Sequence, residues 1–147
     1  MSVEDDIALL ERVPTLGLLG TAALRMLAIG AEQRQVPRGE RLFMVGDDGD
    51  SGFVVLRGAF RVEDGAGGEI IAGAGSLIGE LALIIPIQRP SSALALENSS
   101  VIRIARNLFQ RVLESDAAAA RRLRDCFAAR TSQLASDILM TGAKLSA

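Results

Sequence analysis

The sequence predicts one α+β, mainly β domain, with an antiparallel sandwich or barrel between a short helical lead-in and a helical tail. Three observations carry this. Eleven of the fifteen glycines lie between Gly39 and Gly79, where they separate short runs of β-forming residues. After residue 105 the apolar residues change period and recur at the spacings of a helix face. The hydrophobic fraction is 49% of 147 residues, ample for one core; only 3% is aromatic, all of it Phe, so aliphatic side chains must fill that core.

The elements follow in order. Ile7, Leu9 and Leu10 precede Pro14, and Thr21 offers an N-cap for a short helix over Ala22–Ile29 that Gly30 ends. Residues 1–35 are the helical lead-in. Strands are predicted at Arg41–Val45, Phe53–Leu56, Ala59–Val62 and Glu69–Ala72, with turns at 46–50 and 64–68, and then at Ala93–Leu96 and Val101–Ile104. These runs place the β region at 36–105. Leu108, Phe109, Val112 and Leu113 then mark a helix face, and Ser115-Asp116 can cap a second helix whose interior opens with four alanines. Leu123, Phe127, Leu134 and Ile138 form one stripe on it, interrupted by Arg130 and Thr131. A helix of that length exceeds what a small barrel needs for cover, and residues 106–141 therefore include a predicted dimerisation helix.

Composition excludes several activities. With no His, the chain has no His-based acid–base chemistry, no Ser-His-Asp triad and no His-ligated metal. One cysteine, Cys126, allows neither an intrachain disulfide nor a Cys-rich zinc site, and reads as a small core or seam residue. No enzymatic activity and no metal are expected. The absence of Trp and Tyr removes the usual stacking platforms for single-stranded nucleic acid. Net charge is −2, unevenly spread: residues 103–130 hold seven Arg against three acids, a pattern that fits a solvated helix face. The N-terminus is acidic where a secretory signal is basic, and the longest uncharged stretch, Val13–Leu24, is too short to span a bilayer. A soluble, cytoplasmic protein without membrane contact is expected.

One segment stands apart, Leu77-Ile78-Gly79-Glu80-Leu81-Ala82-Leu83 through Arg89-Pro90-Ser91-Ser92-Ala93. Gly79 permits close backbone approach, and Glu80–Ile84 can form one short helical turn. Unpaired N–H groups at the start of such a turn favour an anion. Arg89 is the only cation between Arg61 and Arg103, and Glu80 the only acid between Glu69 and Glu97. Arg89 wants an acidic partner, either a carboxylate of this chain, Glu80 included, or the phosphate of a ligand.

Gly79-Glu80-Leu81-Ala82-Leu83, with Arg89 ten residues after Gly79, resembles the phosphate-binding cassette of cyclic nucleotide-binding domains. Pro37-Arg38-Gly39-Glu40, Leu42-Phe43, Gly46-Asp47-Asp48-Gly49-Asp50-Ser51 and Val54-Val55-Leu56-Arg57-Gly58 are similar to that family's first strands and turns. Leu9–Pro14 resembles its helical lead-in, and Phe109 with Val112-Leu113 its hinge helix. The likeness spans about residues 7–140. It implies an eight-stranded antiparallel β-roll (a double-stranded β-helix) with short N-terminal helices, a short phosphate-binding helix and two C-terminal helices.

The resemblance also implies roles. Glu80 accepts from the ribose 2′-hydroxyl, and Arg89 pairs with the cyclic phosphate. The amides of Leu81 and Ala82 help hold that phosphate, in a pocket lined by Ile78, Leu81 and Leu83 beside Gly79. Pro90 departs from the family pattern: it offers no N–H where a small residue, Ser or Thr commonly donates one. Ser91 or Ser92 is the expected substitute donor. A Thr at that position favours cGMP in some members, so Pro90 points to cAMP. The implied function is a stand-alone cyclic nucleotide-binding regulatory module that acts through a protein partner. Few residues follow Met140, so direct DNA binding through an appended helix-turn-helix is not expected. The alternative is a nucleotide-free β-roll serving as a dimerisation or docking domain.

Overall fold

The computed structural model describes residues 2–126. The acidic N-terminus opens α1 (Val3–Glu11) with a capping box: the Asp5 N–H donates to Ser2 Oγ at 3.2 Å and the Ser2 N–H to Asp5 Oδ2 at 3.3 Å. Glu4, Asp5 and Asp6 fill its first turn, where carboxylates suit the helix dipole. A 3₁₀ turn (Leu16–Leu19) leads into α2 (Thr21–Gly30). Thr21 is the first helical residue, and the N-cap position expected for it belongs to Gly20. The chain leaves the 3₁₀ turn with φ +88°, a conformation that Gly adopts freely and Thr does not.

Ten strand segments follow among the described residues, where the resemblance implied eight strands; three of the ten are two-residue pieces. They are β1 (Glu32–Val36), β2 (Arg41–Phe43), β3 (Asp48–Gly49), β4 (Ser51–Arg57), β5 (Phe60–Asp64), β6 (Glu69–Ala72), β7 (Leu77–Ile78), β8 (Ile87–Gln88), β9 (Ser91–Ala95) and β10 (Ser99–Ala105). All pairings are antiparallel, in sheets ordered β1-β10-β4-β7 and β2-β9-β5-β6 with a β3-β8 ribbon. β1 begins inside the stretch read as helical lead-in.

Two cores explain the burial. Val36, Phe43, Phe53, Val55, Phe60, Ile78, Ala93 and Val101 fill the interior of the roll. On the other face of the β1-β10-β4-β7 sheet, Val54, Ile102 and Ile104 pack against Leu10, Leu16, Leu24, Leu27 and Phe109 of the helical layer. β4 and β10 are therefore buried on both faces, which is why they read as continuous apolar runs. α3 (Arg106–Ser115) and the helical residues 117–126 complete that layer. Asp116 caps the latter, its Oδ1 accepting from the Ala119 N–H at 3.0 Å. Arg122 fastens it to the lead-in, donating from Nε to Leu18 O (2.6 Å) and from Nη2 to Leu19 O (2.8 Å). No described helix is long and apolar enough to cross a membrane.

Leu123, expected on a dimer seam, is buried in its own chain's helical core. Phe127, Arg130, Thr131, Leu134 and Ile138 lie outside the described residues. Cys126 is a free thiol and half-buried, which does not contradict the seam half of its reading.

Candidate functional site

The cassette is a 3₁₀ turn (Glu80–Leu83) framed by β7 and the β3-β8 ribbon. It starts at Gly79, whose φ of +77° lies in the left-handed region. A Cβ there would also stand 2.5 Å from Arg89 Nη1. Only Gly meets both demands.

Arg89 is 5% exposed. Its backbone is held by the 46–47 turn: the Arg89 N–H donates to Asp47 O at 2.6 Å, and the Gly46 N–H to Arg89 O at 2.9 Å. Nη2 donates to Ser51 O at 2.8 Å and lies 3.4 Å from Ser51 Oγ. The guanidinium rests over Phe43, 4.3 Å from the ring centroid, with Phe53 at 5.7 Å. Nε and Nη1 are buried without a hydrogen-bond partner. Arg89 makes no ion pair among the described residues. Burial pulls its guanidinium below its ordinary value, Asp50 and Asp47 oppose that, and Arg103 adds to it. An Arg so placed stays charged. The site therefore holds a buried cation with two donor positions unused.

A polar chain leads outward from Arg89. Ser51 Oγ donates to Asp50 Oδ1 at 3.0 Å, and Arg103 Nη2 donates to Asp50 Oδ2 at 3.2 Å. Burial raises the Asp50 carboxyl, but the Ser51 hydrogen bond and Arg103 outweigh it and hold Asp50 below the usual value.

Glu80 does not pair with Arg89. Its Oε1 accepts from the buried Thr15 hydroxyl at 3.0 Å, a contact across 65 positions that sequence spacing does not signal. The Ala82 N–H closes the turn onto Gly79 O at 3.2 Å. Of the three apolar residues expected to line one pocket, only Ile78 faces the roll interior. Leu83 packs into the helical core, and Leu81 is exposed. A tight turn of about three residues per repeat sends neighbouring side chains in different directions.

Pro90 is exposed at the head of β9. Strand alternation puts Ser91 on the face of buried Ala93 and Ala95, and Ser92 on the opposite face. Ser92 Oγ accepts from the Val45 N–H at 2.8 Å.

A residue that sequence reasoning missed completes the site. Arg106 Nη1 contacts Gly49 O (2.8 Å), Ala82 O (3.2 Å) and Ile85 O (3.3 Å). Its partners are backbone carbonyls, which no side-chain pattern encodes. Among the described residues no group of three His, Cys, Asp or Glu could hold a metal ion.

Comparison with known proteins identifies the family to which this fold belongs. The family profile described as "Cyclic nucleotide-binding domain" matches residues 33–116. A cyclic nucleotide-binding-like protein of Brucella abortus is 35% identical, with a TM-score of 0.66, covering 75% of this chain and 98% of that one. The N-terminal domain of a transcriptional regulator from Streptomyces coelicolor A3(2) is 27% identical, with a TM-score of 0.77, covering 86% and 94%. An uncharacterized NTE family protein of Mycobacterium tuberculosis is 34% identical over 108 residues, which is 72% of this chain and 18% of that relative's length. The chain belongs to the cyclic nucleotide-binding domain family.

Proposed function

We propose that this chain is a cyclic nucleotide sensor with no catalytic step of its own, taking cAMP in preference to cGMP. The supporting observation is Arg89: a buried guanidinium with Nε and Nη1 unpartnered is costly unless an anion meets it. A cyclic phosphodiester brings one negative charge and oxygens that accept from both positions. In this reading Glu80 takes the ribose 2′-hydroxyl and the Leu81 amide meets the phosphate, while the Ala82 N–H, which closes the turn onto Gly79 O, reaches it only by sharing that bond. Ser91 replaces the donor that Pro90 lacks, since it shares the inward face of β9. Pro90 also removes the Thr hydroxyl that favours cGMP in some family members, and this supports cAMP. Output passes to a protein partner in the cytoplasm, and the chain works as a homodimer through its C-terminal helix. Calorimetric titration of the full chain with cAMP, cGMP and 5′-AMP tests the ligand: heat with cAMP at micromolar concentrations, lost in Arg89→Ala, is expected. No heat with any of the three at millimolar concentration overturns it.

A second reading has its own observation. Phe43 lies against the Arg89 guanidinium and Ser51 holds Nη2, so the side chain has a resting place without a nucleotide. A nucleotide-free docking or dimerisation roll is the outcome if the titrations stay flat.

A further inference from the structure

We propose that the outer edge of β6 is a contact surface for a second copy of this chain, joined strand to strand about a two-fold axis at Ile70. The contact is separate from the C-terminal helix and does not depend on the cyclic nucleotide reading.

β6 ends the sheet β2-β9-β5-β6, and no described strand pairs with its outer side. It carries neither Lys nor Pro, residues that commonly guard such edges. Ile70 is 66% exposed and Ile71 58%. Neighbouring residues of a strand point to opposite faces, and the opposed pair Phe60 and Ala72, both buried, marks the inner one. Ile70 therefore lies on the inner face and Ile71 on the outer. An element packed on either face covers one isoleucine. A strand added at the edge covers both.

The ladder fixes the register of that strand. The Asp64 N–H donates to Gly68 O at 2.9 Å. Bonded and non-bonded pairs alternate from there, so Ile70 and Ala72 turn their backbone groups to β5, and Glu69 and Ile71 turn theirs outward. A second copy presents the same two residues. Antiparallel pairing then bonds each Glu69 to the other copy's Ile71 and sets the two Ile70 side chains against each other on the axis.

Charge favours this occupant. Glu63 and Glu69 stand directly opposite each other, a like-charge pair that costs stability, and Arg61 serves Glu63, with Nε 2.8 Å from its Oε1. Arg61 is itself opposite Ile71. In the paired register the row across four strands reads Glu63, Glu69, the other copy's Ile71 and its Arg61. Glu69 and that Arg61 are then two strand spacings apart, about 10 Å between backbones, a gap that their long side chains can close. Four residues from each copy bury less than the roughly 1,200–2,000 Å² of a stable interface. The contact is therefore weak alone, and beside a helix seam it links copies beyond a dimer.

Small-angle scattering on the full chain carrying Leu134→Glu, which disrupts the proposed helix seam, reads the mass from tens of micromolar to a millimolar. The mass should climb from monomer toward dimer over that range. In the same background Ile70→Lys, which sets two cations on the axis, should hold it at monomer. Ile71→Pro should do so too, since it removes an outward N–H and leaves the bonds to β5. If Ile71→Pro does not fold, Ile70→Lys decides. Glu69→Arg should weaken association, and Arg61→Glu added to it should restore it. Amide exchange followed by NMR should slow at Glu69 and Ile71 as concentration rises and stay constant at Ile70 and Ala72. A mass that stays monomeric, or association that survives Ile70→Lys or is indifferent to Glu69→Arg, overturns the proposal. So does protection of Glu69 and Ile71 at every concentration, the result expected if residues 127–147 of the same copy cover the edge.

Discussion

The Arg89 guanidinium lies 4.3 Å from the centroid of the Phe43 ring, and this contact holds a buried cation that no carboxylate among the described residues neutralises directly. A cation–π contact in a desolvated setting contributes about 2 kcal/mol. That offsets only part of the several kcal/mol that removing a charge from water costs.

Opposite effects on stability and binding follow. Arg89→Met should raise the thermal unfolding midpoint of the unliganded chain, because it removes the desolvated charge and keeps an apolar stem over Phe43. The same change should cost about 2–5 kcal/mol of cyclic nucleotide binding, or roughly 30-fold to several-thousand-fold in affinity. Differential scanning calorimetry and titration on one preparation check both. A fall in the midpoint equal to that of a core deletion would mean that Arg89 serves the fold and not a ligand.

At the edge of the site, Pro90 and Ser91 make a paired test. Pro90→Ala restores an N–H and should tighten cAMP binding. Ser91→Ala should weaken it, whereas Ser92→Ala should act mainly through the Val45 turn, whose N–H it holds at 2.8 Å. Titration of the three variants decides it: equal losses at Ser91 and Ser92 would remove the argument from strand facing. Glu80→Gln should cost less than Arg89→Met, since an amide oxygen still accepts from a hydroxyl.

The strand region is legible because glycine-rich turns punctuate it, and Glu69–Ala72 is found with the predicted bounds. The cassette is legible through the resemblance that Gly79-Glu80-Leu81 and Arg89 carry, and a short helical turn lies where Glu80–Ile84 was expected to form one. β1 is hidden because Glu32-Gln33-Arg34-Gln35 is polar; it is an edge strand whose only buried residue is Val36. The contacts that fix the site are hidden too. Thr15 meets Glu80 across the boundary between the helical layer and the roll, and Arg106 meets carbonyls, so neither leaves a periodic trace.

The Asp50 carboxyl gives the fold an acid-side pH dependence. Its folded-state value is lowered, so the native state binds that proton less readily than the unfolded chain. The stabilisation is complete above the ordinary carboxylate value of 3.8 and is lost as pH falls through the lower, folded one. Asp50 is largely exposed, so the effect is modest. Unfolding midpoints measured from pH 7 to pH 3 should fall less steeply in Asp50→Asn than in wild type. Parallel curves would show that Ser51 and Arg103 do not favour its charged form in solution.

The association state turns on where the apolar stripe of the C-terminal helix finds cover. Leu123 is 4% exposed inside its own chain's helical core, so that end of the stripe is already covered. The proposed seam with a second copy then falls to Phe127, Leu134 and Ile138, which lie outside the described residues. Burying each such side chain contributes about 1.5–3 kcal/mol, so three from each partner contribute about 9–18 kcal/mol against an association cost of about 4–15 kcal/mol. Leu134→Glu places a charge in that seam and should convert the chain to a monomer in sedimentation velocity with little change in its unfolding midpoint. Leu123→Ala should do the reverse, lowering stability by about 2–5 kcal/mol, as a core cavity does, and with it the midpoint, while leaving association intact. A wild-type chain that sediments as a monomer at tens of micromolar would put the whole stripe on its own protomer.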